Sequence, residues 1–207
     1  MALLFSKISN TSLIGVWHIT ESLVELEENP LISCFVEESK KFKSMSRRAE
    51  WLAVRLLVHT LLGEKKEIAY YPSGRPYLTD LSYSISISHT KGYVAVVLDE
   101  KRNVAIDIEH YSDRILSLVP RFVRSDEEFY DSEDLYTPLL IWSAKETLFK
   151  LIDQSGVDFK QDLYVLPFPL AESGSFIAYE YKTLIEGNGH LIHYLTNPSF
   201  VLTYTME

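Results

Sequence analysis

Asp107-Ile-Glu109 places two carboxylates one residue apart. On a strand, residues two apart face the same side, so both acids project together while Val104, Ile106 and Ile108 face a core. Ala105 shares the carboxylate face and leaves it sterically open. Adjacent like charges repel unless a cation sits between them, and an oxygen-only set suits Mg2+. A solvated strand face ending in a turn gives the same pattern. A second constellation is Trp142-Ser-Ala-Lys-Glu-Thr-Leu-Phe-Lys150. On a helix, Trp142, Glu146 and Lys150 lie one above another. Glu146 could be a third metal carboxylate, with Lys150 beside it to neutralise developing phosphate charge. The alternative is a surface Glu–Lys pair worth about 0.3–0.5 kcal/mol. Lys145 points elsewhere on that helix.

Two further groups have phosphate-binding chemistry. Ser88-His89-Thr90, followed by Gly92, ends an alternating segment. Hydroxyls and a histidine there can hold a phosphate, or the histidine can simply cap a turn. Residues 40–55 carry Lys40, Lys41, Lys43, Arg47, Arg48 and Arg55 against Glu50 alone, a local excess of five positive charges. Arg48 and Arg55 are seven apart and share a helix face. They suit a phosphate clamp, since guanidinium forks match phosphate oxygens, or they form a solvated face.

The elements that must position these groups follow from periodicity. Residues 12–19 read as a strand and 45–62 as a helix stopped by Gly63. Pro72–Pro76 is a turn-rich loop. Residues 83–88 alternate as a half-buried strand does. Residues 93–98 form an apolar central strand, 99–103 a polar turn and 103–109 another strand. Helix is predicted over 113–122, 125–131 and 138–152. Segments 176–186 and 191–196 flank Gly187-Asn-Gly189, a hairpin signal, and 200–205 is a last strand. The order predicts an α+β fold of two similar halves, residues 1–100 and 101–207, related by a pseudo-twofold. Each half would be a small, mainly antiparallel sheet packed with helices.

Composition narrows the class. A net charge of −9 argues against general nucleic-acid binding. No apolar run approaches the length needed to span a bilayer and no leader pattern opens the chain, so a cytoplasmic location is expected. The one cysteine, Cys34, allows no internal disulfide and reads as a small buried hydrophobe.

Taken in order, Val104-Ala-Ile-Asp-Ile-Glu109 and Trp142-Ser-Ala-Lys-Glu-Thr-Leu-Phe-Lys150 resemble the paired signature of the phosphopantetheinyl transferase superfamily, a V-G-I-D-x-E strand and a W-S-x-K-E-[AS]-x-x-K helix. Arg75-Pro-Tyr resembles the family's basic-Pro-Tyr element, and Ile85-Ser-Ile-Ser-His89-Thr90 its x-I-S-H-S element. Arg114-Ile, Pro120-Arg-Phe-Val-Arg124 and Glu127-Glu128 resemble the segment between the two signature halves. Each motif alone is weak; their order over residues 45–152 is what carries the resemblance. Length places the chain with the double-length surfactin type. Ala105 stands where the family has glycine, adding a methyl on the carboxylate side, and Thr147 where it has Ala or Ser.

The resemblance implies transfer of 4′-phosphopantetheine from coenzyme A to a serine of an apo acyl or peptidyl carrier protein, releasing 3′,5′-ADP. It implies Mg2+ held by Asp107, Glu109 and Glu146. Lys150 would stabilise charge, and Glu146 or a water-relayed carboxylate would take the serine proton. Arg75, Ser88, His89 and Lys145 would contact phosphates of coenzyme A, with Arg48 or Arg55 near its 3′-phosphate. A monomer is expected, with neither nucleic acid nor membrane as partner. The carrier would dock near Arg114, Arg121 and Arg124. Rival readings are a metal-dependent phosphohydrolase or nucleotidyl transferase, and a catalytically silent relative that binds coenzyme A or a carrier.

Overall fold

The helix predicted over 45–62 forms over Met45–Leu62, with its ends set as the sequence signals. Ser44 Oγ accepts the Arg47 N–H at 3.3 Å, and Gly63, at φ 72°, closes the last turn. In the computed structural model, which describes residues 3–8, 11–127 and 134–207, the chain is α+β: antiparallel sheets packed with helices. It divides into two units, Met1–Val104 and Ala105–Glu207.

The first unit runs β1 (Leu3–Ile8), β2 (Ser12–His18), α1 (Leu23–Glu28), α2 (Val36–Ser39), α3 (Met45–Leu62), β3 (Ile68–Tyr70), β4 (Pro76–Leu78), β5 (Ser84–Thr90) and β6 (Tyr93–Asp99). Its main sheet has the order β1-β2-β6-β5, all neighbours antiparallel. The apolar run of β6 is central, as its composition predicts. Helix α3 lies on β2 and β6, burying Leu57 and Val58 against Val94, Val96 and Leu98. Gly15 permits that approach: a Cβ there would lie 2.8 Å from Leu57 Cδ1 and 3.2 Å from both Leu61 methyls. Helix α1 starts on a capping box between Ser22 and Glu25, a signal that sequence reading passed over.

The second unit begins on β7 (Val104–His110), whose first residue belongs to the first unit. It continues with α4 (Arg114–Phe122), a 3-10 turn at Ser125–Glu127, α5 (Tyr136–Ile152), β8 (Leu163–Val165), β9 (Ser173–Glu180), β10 (Asn188–Asn197) and β11 (Phe200–Met206). The sheet order is β7-β11-β10-β9-β8, with α5 packed chiefly on β11. Leu140, Ile141, Ala144 and Leu148 meet Ala178, Ile192 and Val201 in the core. Among the described residues, no helix is long and apolar enough to cross a membrane.

Several expectations need correction. The hairpin forms, but its connection spans 181–187, so only Gly187 of the Gly187-Asn-Gly189 signal lies in it, with φ 81° and its N–H donating to the Leu184 carbonyl at 2.9 Å. Strand β9 stops at Glu180, whose carboxylate accepts the backbone N–H groups of Lys182 and Thr183 at 2.8 Å each, and Gly189 pairs with Tyr179 inside β10. The carboxylate captures the chain earlier than the glycine signal suggests. Strand β5 does not bury one face alone: Ser86 and Ser88 are buried and Ile87 is only half-buried. Cys34 is exposed, because the 3-10 turn at Ser33–Phe35 follows a buried Ile32 and turns the thiol outward. Helix α5 starts two residues before Pro138, where Asp134 accepts the Tyr136 N–H at 2.8 Å. Proline is tolerated in that first turn, where amides have no intrahelical acceptor. The helix expected over 125–131 is a 3-10 turn as far as Glu127, and its remainder lies outside the described residues.

The polar turn after β6 is organised by Asp99, which is wholly buried. Its Oδ1 accepts the Lys101 and Arg102 N–H groups at 2.8 Å each. Its Oδ2 accepts Ser12 Oγ at 2.7 Å and Arg102 Nη2 at 2.8 Å. Burial opposes ionisation, yet these donors prevail and hold the carboxyl at about 2. An acid depressed below its unfolded value of about 3.9 adds stability above that value and loses it as pH falls towards 2. In Asp99→Asn, the loss of urea resistance between pH 5 and pH 2 is expected to shrink by about 1–2 kcal/mol. Parallel acid profiles for wild type and variant would remove Asp99 from that role.

Candidate functional site

The two signature halves meet in the second unit. Strand β7 and helix α5 bring Asp107 and Lys150 into an ion pair, Nζ to Oδ1 at 2.7 Å, although 43 residues separate them. Lys150 Nζ also donates to the Ile106 carbonyl at 3.0 Å. Trp142 Nε1 donates to Glu109 Oε1 at 2.7 Å. The indole is held by Phe122 and Phe159, with ring centres 5.1 and 5.4 Å away. The helical row of Trp142, Glu146 and Lys150 thus faces the carboxylates of β7, and Trp142 orients one of them. The sequence reading had treated that tryptophan only as part of the row.

The setting is more enclosed than strand alternation suggests. Val104, Ile106 and Ile108 are buried as expected, but so are Ala105 and Asp107 on the other face. The carboxylate face is therefore covered at Ala105 and Asp107 and opens only towards half-buried Glu109. The acids respond to this. Burial raises Glu109 to about 7, with the Asp107 charge adding to the effect and the Trp142 hydrogen bond opposing it. Burial likewise raises Glu146 to about 7, aided by Asp107 and opposed by Lys150.

Helix α5 is fixed in register by buried hydroxyls. Thr203 Oγ1 on β11 lies 2.8 Å from Ser143 Oγ and 2.7 Å from Thr147 Oγ1. Thr147, the departure from the family pattern, therefore has a partner that alanine would lack.

Lys145 is turned into the protein interior. Its side chain is wholly buried, and Nζ donates to Glu127 Oε2 at 2.7 Å, the Phe122 carbonyl at 2.7 Å and the Phe159 carbonyl at 2.9 Å. The phosphate contact expected of it gives way to an internal ion pair, since its three donors are all used. Glu127 completes the cluster by accepting the N–H groups of Arg124 at 2.8 Å and Val165 at 2.7 Å. Arg124, expected near a docking carrier, pairs with Asp126 at 2.9 Å and lies over Tyr164.

In the first unit the basic island is substantially neutralised. Lys40 and Lys41 pair with Glu37 and Glu38, Arg47 with Glu50, and Arg48 with Glu27 on α1. Glu27, Glu37 and Glu38 lie outside the 40–55 window, so a count within it missed them. Arg55 is 2 % exposed and stacks on Trp51, its guanidinium 3.1 Å from the ring centre. Ser88 and His89 fall on opposite faces of β5, as adjacent strand residues must. Ser88 is buried, whereas exposed His89 meets Arg47 and lies 3.4 Å from Glu50. Arg47 is thus a site neighbour that sequence reading did not single out. Arg75 is half-buried and closes the loop before β4, its carbonyl accepting the Tyr71 N–H at 2.9 Å.

Among the described residues, no three His, Cys, Asp or Glu side chains gather as a metal cage. In donor chemistry, however, Asp107, Glu109 and Glu146 fit a hard divalent cation: all donors are oxygen, and three acids face one lysine. No protein-family model and no curated protein matches the chain.

Proposed function

We propose that this chain is a 4′-phosphopantetheinyl transferase, moving the phosphopantetheine arm of coenzyme A to a carrier-protein serine. The observation that carries the reading is the meeting of the two signature halves, Lys150 on Asp107 and Trp142 on Glu109, at 2.7 Å each. A chance match of short motifs would place no such demand on residues so far apart in sequence.

In this proposal Asp107, Glu109 and Glu146 would hold Mg2+, which when bound would supply Lewis-acid polarisation of a phosphoryl oxygen. Trp142 keeps the Glu109 carboxylate turned toward Asp107 and Glu146. Lys150 neutralises charge that develops on the transferred phosphoryl group. Glu146, on the exposed side of α5 relative to its buried neighbours Lys145 and Thr147, accepts the serine proton directly or through one water. Arg48, Arg55, Arg75, Ser88 and His89 are the candidates for coenzyme A phosphates. Lys145 drops out of that set, because its partners are internal.

The test is to incubate the protein with coenzyme A, Mg2+ and a panel of apo carrier proteins, then weigh each carrier intact. The expected result is a gain equal to one phosphopantetheine on at least one carrier, dependent on Mg2+. No gain on any carrier would overturn the proposal. Phosphate release from nucleotides without a carrier would favour a phosphohydrolase.

A further inference from the structure

The first unit contains a cavity of about 540 Å3 lined in part by Cys34, Glu38, Arg55, Lys65, Lys66 and Glu67. Arg55 sets its chemistry. Nη1 donates to the Trp51 carbonyl at 3.1 Å, and the Tyr70 side chain interacts with the guanidinium. Nε and Nη2 are buried and have no hydrogen-bond partner among the described residues. Burial pushes the guanidinium down to about 10, with Tyr70 and Glu38 pulling the other way, so it stays cationic at neutral pH. A buried cation with unspent N–H groups beside a cavity calls for an anionic oxygen.

The other lining charges leave room for one. Glu38 is paired with Lys41 at 2.8 Å. Lys66 is held by Glu64 at 2.9 Å and Asp80 at 2.6 Å. Exposed Lys65 adds a second cation, against Glu67. On the rim sits Cys34, exposed and the only cysteine of the chain. Cys34 thus shares its cavity with a buried cation that has unspent N–H groups, and an accessible thiol beside a cation is the reactive kind.

We propose that Cys34 is a modification site for small disulfides that carry a carboxylate or phosphate, with Arg55 and Lys65 holding the anion. The Cys34 thiol gives its proton to solvent, and the thiolate attacks one sulfur of the bound disulfide. A new S–S bond forms to Cys34 as the old one breaks, and the other half departs as a thiolate. The disulfide is itself the oxidant. The retained half then occupies the cavity, and a thiol reductant restores the free cysteine. Arg55 is shared with the candidates for coenzyme A phosphates, but the readouts here use neither coenzyme A nor a carrier protein, so failure of this inference and failure of the transfer reading are distinguishable.

The experiment compares the full-length protein's rates with dithiobis-nitrobenzoate, a dianion, and with neutral dithiodipyridine. Each rate is divided by that of free glutathione with the same reagent. The dianion is expected to be favoured by about tenfold. Inorganic phosphate at constant ionic strength should slow the dianion alone, and the mass of the protein should show a single adduct. Arg55→Met should lose the preference. Because Arg55 is buried, Lys65→Gln and the phosphate competition supply readouts that leave the core intact. Equal normalised rates, insensitive to phosphate, would overturn the proposal.

Discussion

Under the proposed transfer reaction, Asp107→Asn is expected to slow carrier modification by at least about 100- to 1,000-fold while leaving the protein folded. The substitution keeps the volume of a side chain that is 5 % exposed but removes the charge facing Lys150 Nζ at 2.7 Å. It also removes the carboxylate that both Glu109 and Glu146 feel. Folding should survive, because Lys150 keeps its bond to the Ile106 carbonyl and its side chain is partly exposed. The rate is read from the intact mass of the carrier over time, and the fold from thermal melting. Activity within tenfold of wild type would take Asp107 out of the reaction centre. Collapse of the melting transition would instead make its role structural. Lys150→Met should slow transfer as well, but with a larger loss in melting than Asp107→Asn, because it leaves buried Asp107 charged beside two other acids without its cation.

The second large effect concerns stability. Lys145→Met leaves Glu127 charged and without its lysine in a site where both side chains are wholly buried. Removing one partner of a buried pair typically costs about 3–5 kcal/mol. A loss of that size is expected in urea unfolding, with an unchanged denaturant slope. The double variant Lys145→Met, Glu127→Leu should recover part of it. Recovery will be incomplete, because the backbone groups of Phe122, Phe159, Arg124 and Val165 lose their partners as well. A coupling of about 2 kcal/mol or more in the double-mutant cycle is the expected signature. A single-variant loss below about 1 kcal/mol would contradict the buried-pair role. If folded Lys145→Met then transfers phosphopantetheine normally, Lys145 acts through stability alone.

This pair explains how α5 can present functional groups. Its buried side is tied to the Ser125–Glu127 turn through Lys145 and to β11 through Ser143 and Thr147. Its other side is then free to offer Trp142, Glu146 and Lys150 to β7. Lys145 and Glu146 are neighbours in sequence with opposite duties, because a helix turns about 100° per residue.

The elements whose period is long and whose ends are punctuated were legible without coordinates. Helix α3 formed over 45–62 and stopped at Gly63 as expected, and the unbroken apolar run at 93–98 became an interior strand of its sheet. Local geometry also foretold which residues share a face: Asp107 with Glu109 on a strand, and Trp142 with Glu146 and Lys150 on a helix. Those relations depend only on backbone repeat, which the chain carries in its own residues. Burial and partnership do not. Nothing near Asp107 in sequence says that β7 is covered at Ala105 and Asp107 as well as on its other face, or that Arg48 meets Glu27 and Lys145 meets Glu127. The hairpin after β9 moved because a side chain, Glu180, bound the backbone ahead of the glycine. Charge, exposure and the use of each donor are set by what packs across from a residue, and only the tertiary structure decides that.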